Sequence, residues 1–145
     1  MKIDGIELHD ISDPSIYAGV LESYSLPATR RYLLENKLTV PCVDFPGDIA
    51  DGKDDADKLE KLKNIIDTAY NLRAKAVRVH TLRSDKENTE EIINNASRFL
   101  SSALPYAERV DVTILIETVG VFSDTSALKS LLDSFALDSL AALWD

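Results

Sequence analysis

The sequence predicts an α/β fold of parallel βα repeats, and three observations carry the prediction. Short apolar runs rich in Val, Ile and Leu recur five times along the chain. The stretches between them follow the 3.6-residue period of a helix with one buried face. Polar or chemically capable residues stand at the ends of the apolar runs, as in Val112–Gly120, VTILIETVG, where a buried strand runs into Glu117 and then a glycine. Strands alternating with helices require a parallel sheet, and a continuous apolar strand is one covered on both faces.

The elements follow in order. IDGIELH at 3–9 alternates Ile6 and Leu8 with Glu7 and His9 and reads as a first strand beginning near Gly5. Asp10 to Asp13 and Pro14 break it. Residues 15–26 carry Ile16, Tyr17, Val20, Leu21 and Tyr24 and read as a short helix. Pro27 suits the first turn of a helix reaching about Asn36, with Tyr32 and Leu33 as its inner face. LTVPCVDF at 38–45 is the second strand, and Pro41 inside it favours an edge position.

Pro46, Gly47 and the acidic run Asp48 to Asp57 form a loop. Asp51, Asp54, Asp55 and Asp57 lack the spacing of a calcium loop and suit a helix N-terminus instead. Leu59, Leu62, Ile65, Ile66, Ala69 and Leu72 then mark one face of a helix. AKAVRVHTL at 74–82 is the third strand and carries His80.

Asn88 and Glu91 fit a capping box ahead of a helix bearing Ile92, Ala96, Phe99, Leu100 and Ala103, which Pro105 is expected to kink or restart. The fourth strand is 112–117. Asp124 caps a helix with Leu128, Leu131, Leu132 and Phe135, and LAALWD at 140–145 is the fifth strand.

Composition sets bounds. The 145 residues suit one domain, read here as spanning 1–145, and 45% of them are hydrophobic. The net charge of −9 disfavours nucleic acid or an anionic membrane as partner. No apolar run approaches the roughly 20 residues of a membrane span, and no secretion signal is visible, so a cytoplasmic protein is expected. The single cysteine, Cys42, excludes an internal disulfide framework and reads as a small buried hydrophobe. GxGxxG, GxxxxGK and GxSxG are all absent.

Parallel strands bring their C-terminal ends to one rim, so Glu7, His9, Asp44, His80, Glu117 and Asp145 converge there. Glu117 reads either as a functional carboxylate or as a strand-end acid paired with Arg78. Glu117 and Asp145 on adjacent strand ends suit a divalent cation, to which an imidazole such as His80 can be added. His80 and His9 also read as packed or hydrogen-bonded side chains.

DGIEL at 4–8, KAVRVHTL at 75–82, VTILIETVGVFSDTSAL at 112–128 and LAALWD at 140–145 resemble the second, fourth, fifth and sixth strands of the xylose isomerase-like TIM barrels. That superfamily holds sugar-phosphate isomerases and epimerases together with endonuclease IV. The resemblance implies a partial TIM barrel of about five strands and four or five helices. It also implies a divalent ion (Mn, Mg, Zn or Co) held by Glu117 and Asp145. Glu117 would be the acid/base, with His80, Glu7 and His9 as substrate contacts. Val119 departs from the histidine many relatives carry there.

Read this way, the chain begins at the second strand and stops on the sixth, lacking the ligands of the seventh and eighth. The expected function is therefore a sugar or sugar-phosphate isomerase or epimerase, weak or inactive as this piece. The alternative is a non-catalytic partial barrel forming a homodimer through its open edges. An endonuclease IV-like nuclease is disfavoured by the charge.

Overall fold

The computed structural model describes residues 3–9, 26–53, 55–84 and 88–144. Four strands, β1 (Cys42–Asp48), β2 (Ala76–His80), β3 (Thr113–Glu117) and β4 (Leu140–Leu143), form one sheet. Neighbours in the sheet are neighbours in sequence, and every pairing is parallel. Helices α1 (Leu26–Glu35), α2 (Asp55–Leu72), α3 (Thr89–Arg109) and α4 (Thr125–Phe135) are the α-helices among the described residues, and a 3₁₀ turn occupies Gly120–Ser123. No helix among them is long and apolar enough to cross a membrane.

The core forms where the two periodicities meet. Val43, Phe45, Val77, Val79, Ile114 and Ile116 occupy alternate positions of their strands and are buried. They join Leu62, Ile66 and Ala69 of α2 and Ile92, Ala96, Phe99, Leu100 and Ala103 of α3 in one cluster. Each fully buried Leu, Ile or Phe contributes about 1.5–3 kcal/mol. Phe45 stacks on Phe99 with ring centroids 6.3 Å apart. The strand residues between these core positions lie on the opposite face of the sheet, where the polar rim sits.

The expected first strand is rudimentary. Residues 3–9 run parallel beside the chain leading into β1 and touch it at two isolated bridges, Gly5↔Thr39 and Leu8↔Val43. Four steps from Thr39 to Val43 therefore face three from Gly5 to Leu8, a one-residue bulge at Pro41. Proline has no N–H to donate to the neighbouring strand, so the ladder is interrupted there and resumes with Asp44 N–H to Leu8 O at 2.8 Å. The same proline delays β1 to Cys42, later than the strand start expected at Leu38.

Other expectations are corrected. Tyr32 is exposed, and Leu33 alone supplies the buried residue of α1. Pro105 does not restart α3, which runs unbroken to Arg109. Asn88 is the N-cap of α3 but makes no side-chain capping bond. Asp124 does cap α4, accepting from Ser126 N–H at 2.8 Å. The helix expected over 15–26 lies outside the described residues except for Leu26, which opens α1. The acidic loop is organised around Lys58, which bonds Asp51, donates to Asp48 O at 2.9 Å and lies 3.4 Å from Asp55.

Candidate active site at the carboxyl ends of the strands

Period-two alternation decides which polar side chains share a face. In AVRVH, Val77 and Val79 enter the core, so Arg78 and His80 face the other way. Asp44 and Glu117 follow the same rule beside Val43 and Ile116. The register sets Asp44 opposite Arg78. Glu7, on the neighbouring 3–9 segment, reaches the same place.

Arg78 is the hub. Its Nε donates to Asp44 Oδ1 at 3.0 Å and lies 3.4 Å from Glu7 Oε1 and 3.7 Å from Glu117 Oε2. Its Nη2 is 3.0 Å from His9 Nδ1. His9 in turn lies 3.6 Å from Asp44 Oδ2 and 3.9 Å from Glu7 Oε2. The side chains of Asp44, Arg78 and Glu117 are 9%, 13% and 17% exposed, so the cluster is screened by little solvent. Burial works against the charge of Arg78, but the Asp44 hydrogen bond and the charges of Asp44, Glu7 and Glu117 outweigh it and hold the guanidinium above its ordinary range.

His80 Nδ1 lies 4.0 Å from Asp44 Oδ1, beyond hydrogen-bonding distance. It is a buried polar atom without a hydrogen-bond partner among the described residues. Such an atom is costly unless something supplies the missing bond.

Five of the six residues expected at the rim, Glu7, His9, Asp44, His80 and Glu117, thus meet there. Asp145 lies outside the described residues. The pairing of Glu117 with Arg78 is present. Arg78 was expected only in that minor role, although V-R-V-H already placed it on the face of His80.

A divalent ion was the implied cofactor. Among the described residues, no group of three or more His, Cys, Asp and Glu side chains is placed to hold one. The carboxylates that could contribute converge on a guanidinium instead. The described donors therefore do not fit a metal centre. A cavity of about 450 Å³ lies apart from the rim, between Phe45, Pro46 and Gly47 of β1 and Lys58, Lys61 and Ile65 of α2.

Parallel βα units with a polar cluster at the carboxyl ends of the strands define the architecture of a TIM-barrel segment. The chain belongs to the xylose isomerase-like TIM barrel family, whose profile matches residues 1–145. No curated protein matches it in sequence.

Among solved structures, a D-tagatose 3-epimerase-like protein aligns with a TM-score of 0.77 and 16% identity, covering 100% of this chain and 57% of that one. The IolI protein with a bound zinc atom aligns at 0.75 and 19%, covering 94% and 51%. The 3-keto-D-glucoside 4-epimerase YcjR of E. coli aligns at 0.74 and 12%, covering 99% and 68%. At such identities the likeness is one of fold. The chain spans little more than half the length of the first two of these proteins.

Proposed function

We propose that this chain is a sugar isomerase- or epimerase-like protein that moves a proton at a carbon beside a carbonyl, with low turnover by the 145 residues alone. The observation that carries the reading is Glu117, a part-buried carboxylate at the carboxyl end of β3, set in a rim of hydrogen-bonding side chains. Family membership and epimerase neighbours of the same fold support it.

Glu117 takes the proton from carbon, and the electron pair of the broken C–H bond moves toward the carbonyl oxygen to give an enediolate. Return of the proton to the neighbouring carbon, with the hydroxyl proton passing to the former carbonyl oxygen, isomerises the sugar, and return to the other face of the same carbon epimerises it. His80, with its unpartnered Nδ1, and Glu7 and His9 at the open side of the rim are the proposed contacts to sugar oxygens. The substrate is a small sugar or sugar phosphate in the cytoplasm. A divalent ion is the family's expected cofactor type, with Glu117 and Asp145 as its holders, and it would have to compete with Arg78 for Glu117.

Incubation with a panel of ketoses and ketose phosphates, with and without Mn²⁺, tests the proposal. Slow product formation that Glu117→Gln lowers at least about 100-fold is expected, the usual size of a general acid–base contribution. Absence of product from the wild-type chain under every condition overturns it.

A second reading, a non-catalytic self-associating barrel segment, is favoured by β4. Its outer edge has no partner strand among the described residues, and Trp144 beside it is 78% exposed. An unpaired edge with an exposed aromatic is a template for another chain. Sedimentation at several concentrations decides: growth of the weight-average mass with concentration supports this reading, and a strictly monomeric species removes it.

A further inference from the structure

We infer that Arg78 is the built-in counterion of the rim: its guanidinium holds Glu7, Asp44 and Glu117 together and keeps divalent cations from those carboxylates. The role rests on the contacts of Arg78 alone. Its bearing on the chemistry of Glu117 rests on the proposed function, which makes Arg78 a positioning residue.

Three chain segments bring a carboxylate to this one group. Glu7 comes from the 3–9 segment, Asp44 from β1 and Glu117 from β3, with Nε distances of 3.4, 3.0 and 3.7 Å. Three acids around one cation leave the cluster short of positive charge, so the arginine is shared and cannot leave cheaply. Lys58 on α2 is engaged elsewhere, with Asp51, Asp55 and Asp48 O. The guanidinium fork suits the task, because it offers five donors in a fixed plane and stays charged throughout the working pH range. A hard divalent ion seeks the same carboxylate oxygens. Ion and guanidinium are therefore alternatives at this place, and the side chain has the advantage of being tethered.

Mn²⁺ titration of the full chain, read from the electron paramagnetic resonance signal of the free ion, tests the inference together with thermal midpoints measured with and without Mn²⁺. Arg78→Met removes the charge while keeping an unbranched chain. It is expected to bind Mn²⁺ at least about tenfold more tightly than wild type (about 1.4 kcal/mol) and to gain a Mn²⁺-dependent rise in midpoint that wild type lacks. Adding Glu117→Gln to Arg78→Met should reverse most of the gain, an effect a merely structural role for Arg78 would not produce. Equal Mn²⁺ affinity in wild type and Arg78→Met overturns the inference.

Should Arg78→Met fail to fold even with Mn²⁺, Arg78→Lys decides. Its compact ammonium cannot reach three carboxylates in fork geometry, so a roughly threefold gain over wild type is expected, and no gain overturns the inference. Neither readout requires turnover. A chain inactive toward every sugar still tests the counterion. Conversely, sugar turnover with Mn²⁺ affinity unmoved by Arg78→Met would sink the counterion and leave the function standing.

Discussion

Cys42 shows how one buried side chain makes stability depend on pH. The thiol lies on the rim face at the start of β1, with its Sγ 3.8 Å from Val43 O. Burial, with Glu7 adding to it, pushes the thiol from 9.0 up to about 11. A raised value means the neutral thiol is the form the fold favours. Its contribution is complete below pH 9 and is lost as pH rises to about 11. Over that interval the slope is about 1.4 kcal/mol per pH unit. Denaturant midpoints measured from pH 8 to 11 should fall more steeply in wild type than in Cys42→Ala, and parallel curves would contradict the assignment. Arg78, by contrast, is charged in both folded and unfolded states across this range, so its worth lies in geometry rather than titration.

Much of the residue-scale site was legible because β alternation is strict. Once Val77 and Val79 were core, Arg78 and His80 had to share the other face. The hub role of Arg78 was not legible, because it depends on Glu7 arriving from a segment whose register is set by the bulge at Pro41. Asp145 cannot be compared, since it lies outside the described residues.

At the scale of elements, helix interiors followed their apolar spacing, and helix exits lacked their usual signal. All four helices are followed by a non-glycine residue of positive φ: Lys37 at 57°, Arg73 at 62°, Asp111 at 58° and Ala136 at 49°. Glycine is the residue that normally marks this point, so the exits were hard to read. Left-handed backbone costs an L-residue roughly 1–2 kcal/mol. Ala136→Gly is therefore expected to stabilise the chain by about 1 kcal/mol. Gly120 is the opposite case. It has φ of 60°, and a Cβ there would meet the carbonyl oxygens of Thr81 and Arg83. That close approach seats the turn after β3 against the end of β2, where Val121 N–H donates to Arg83 O at 2.7 Å. Gly120→Ala should cost at least about 2 kcal/mol and displace the strand end that carries Glu117. Thermal unfolding of the two variants checks both signs. A stabilised Gly120→Ala would contradict the geometry.

Pro105 and Pro41 show two outcomes of a proline signal. Pro105 sits in the last turn and a half of α3, where the apolar face of Ala103, Leu104 and Ala107 is fully packed. Tertiary burial there outweighs the lost backbone bond. Pro41 was expected to mark an edge strand, and β1, which follows it, does stand at the edge of the four-stranded sheet. The proline also breaks the pairing to residues 3–9, so the first strand survives as two bridges.

For the whole molecule, the order of βα units was written in the spacing of apolar runs, and the sheet order β1-β2-β3-β4 follows from that spacing because each helix returns the chain to the next position. Side-chain partners at the rim were harder to read, since they depend on strand register and not on composition. The net charge of −9 has the same character. It argues about partners in bulk, while locally the carboxylates of the rim are gathered by an arginine and those of the Asp48–Asp57 loop by Lys58.

The proposed proton transfer by Glu117 at a sugar carbon is tested by following deuterium from D₂O into the carbon-bound positions of ketose substrates by NMR. Such exchange does not require net turnover and so detects a slow site. Incorporation beside the carbonyl is expected from the wild-type chain, and at least about 100-fold less from Glu117→Gln. Equal incorporation by both, or none by either, would contradict it.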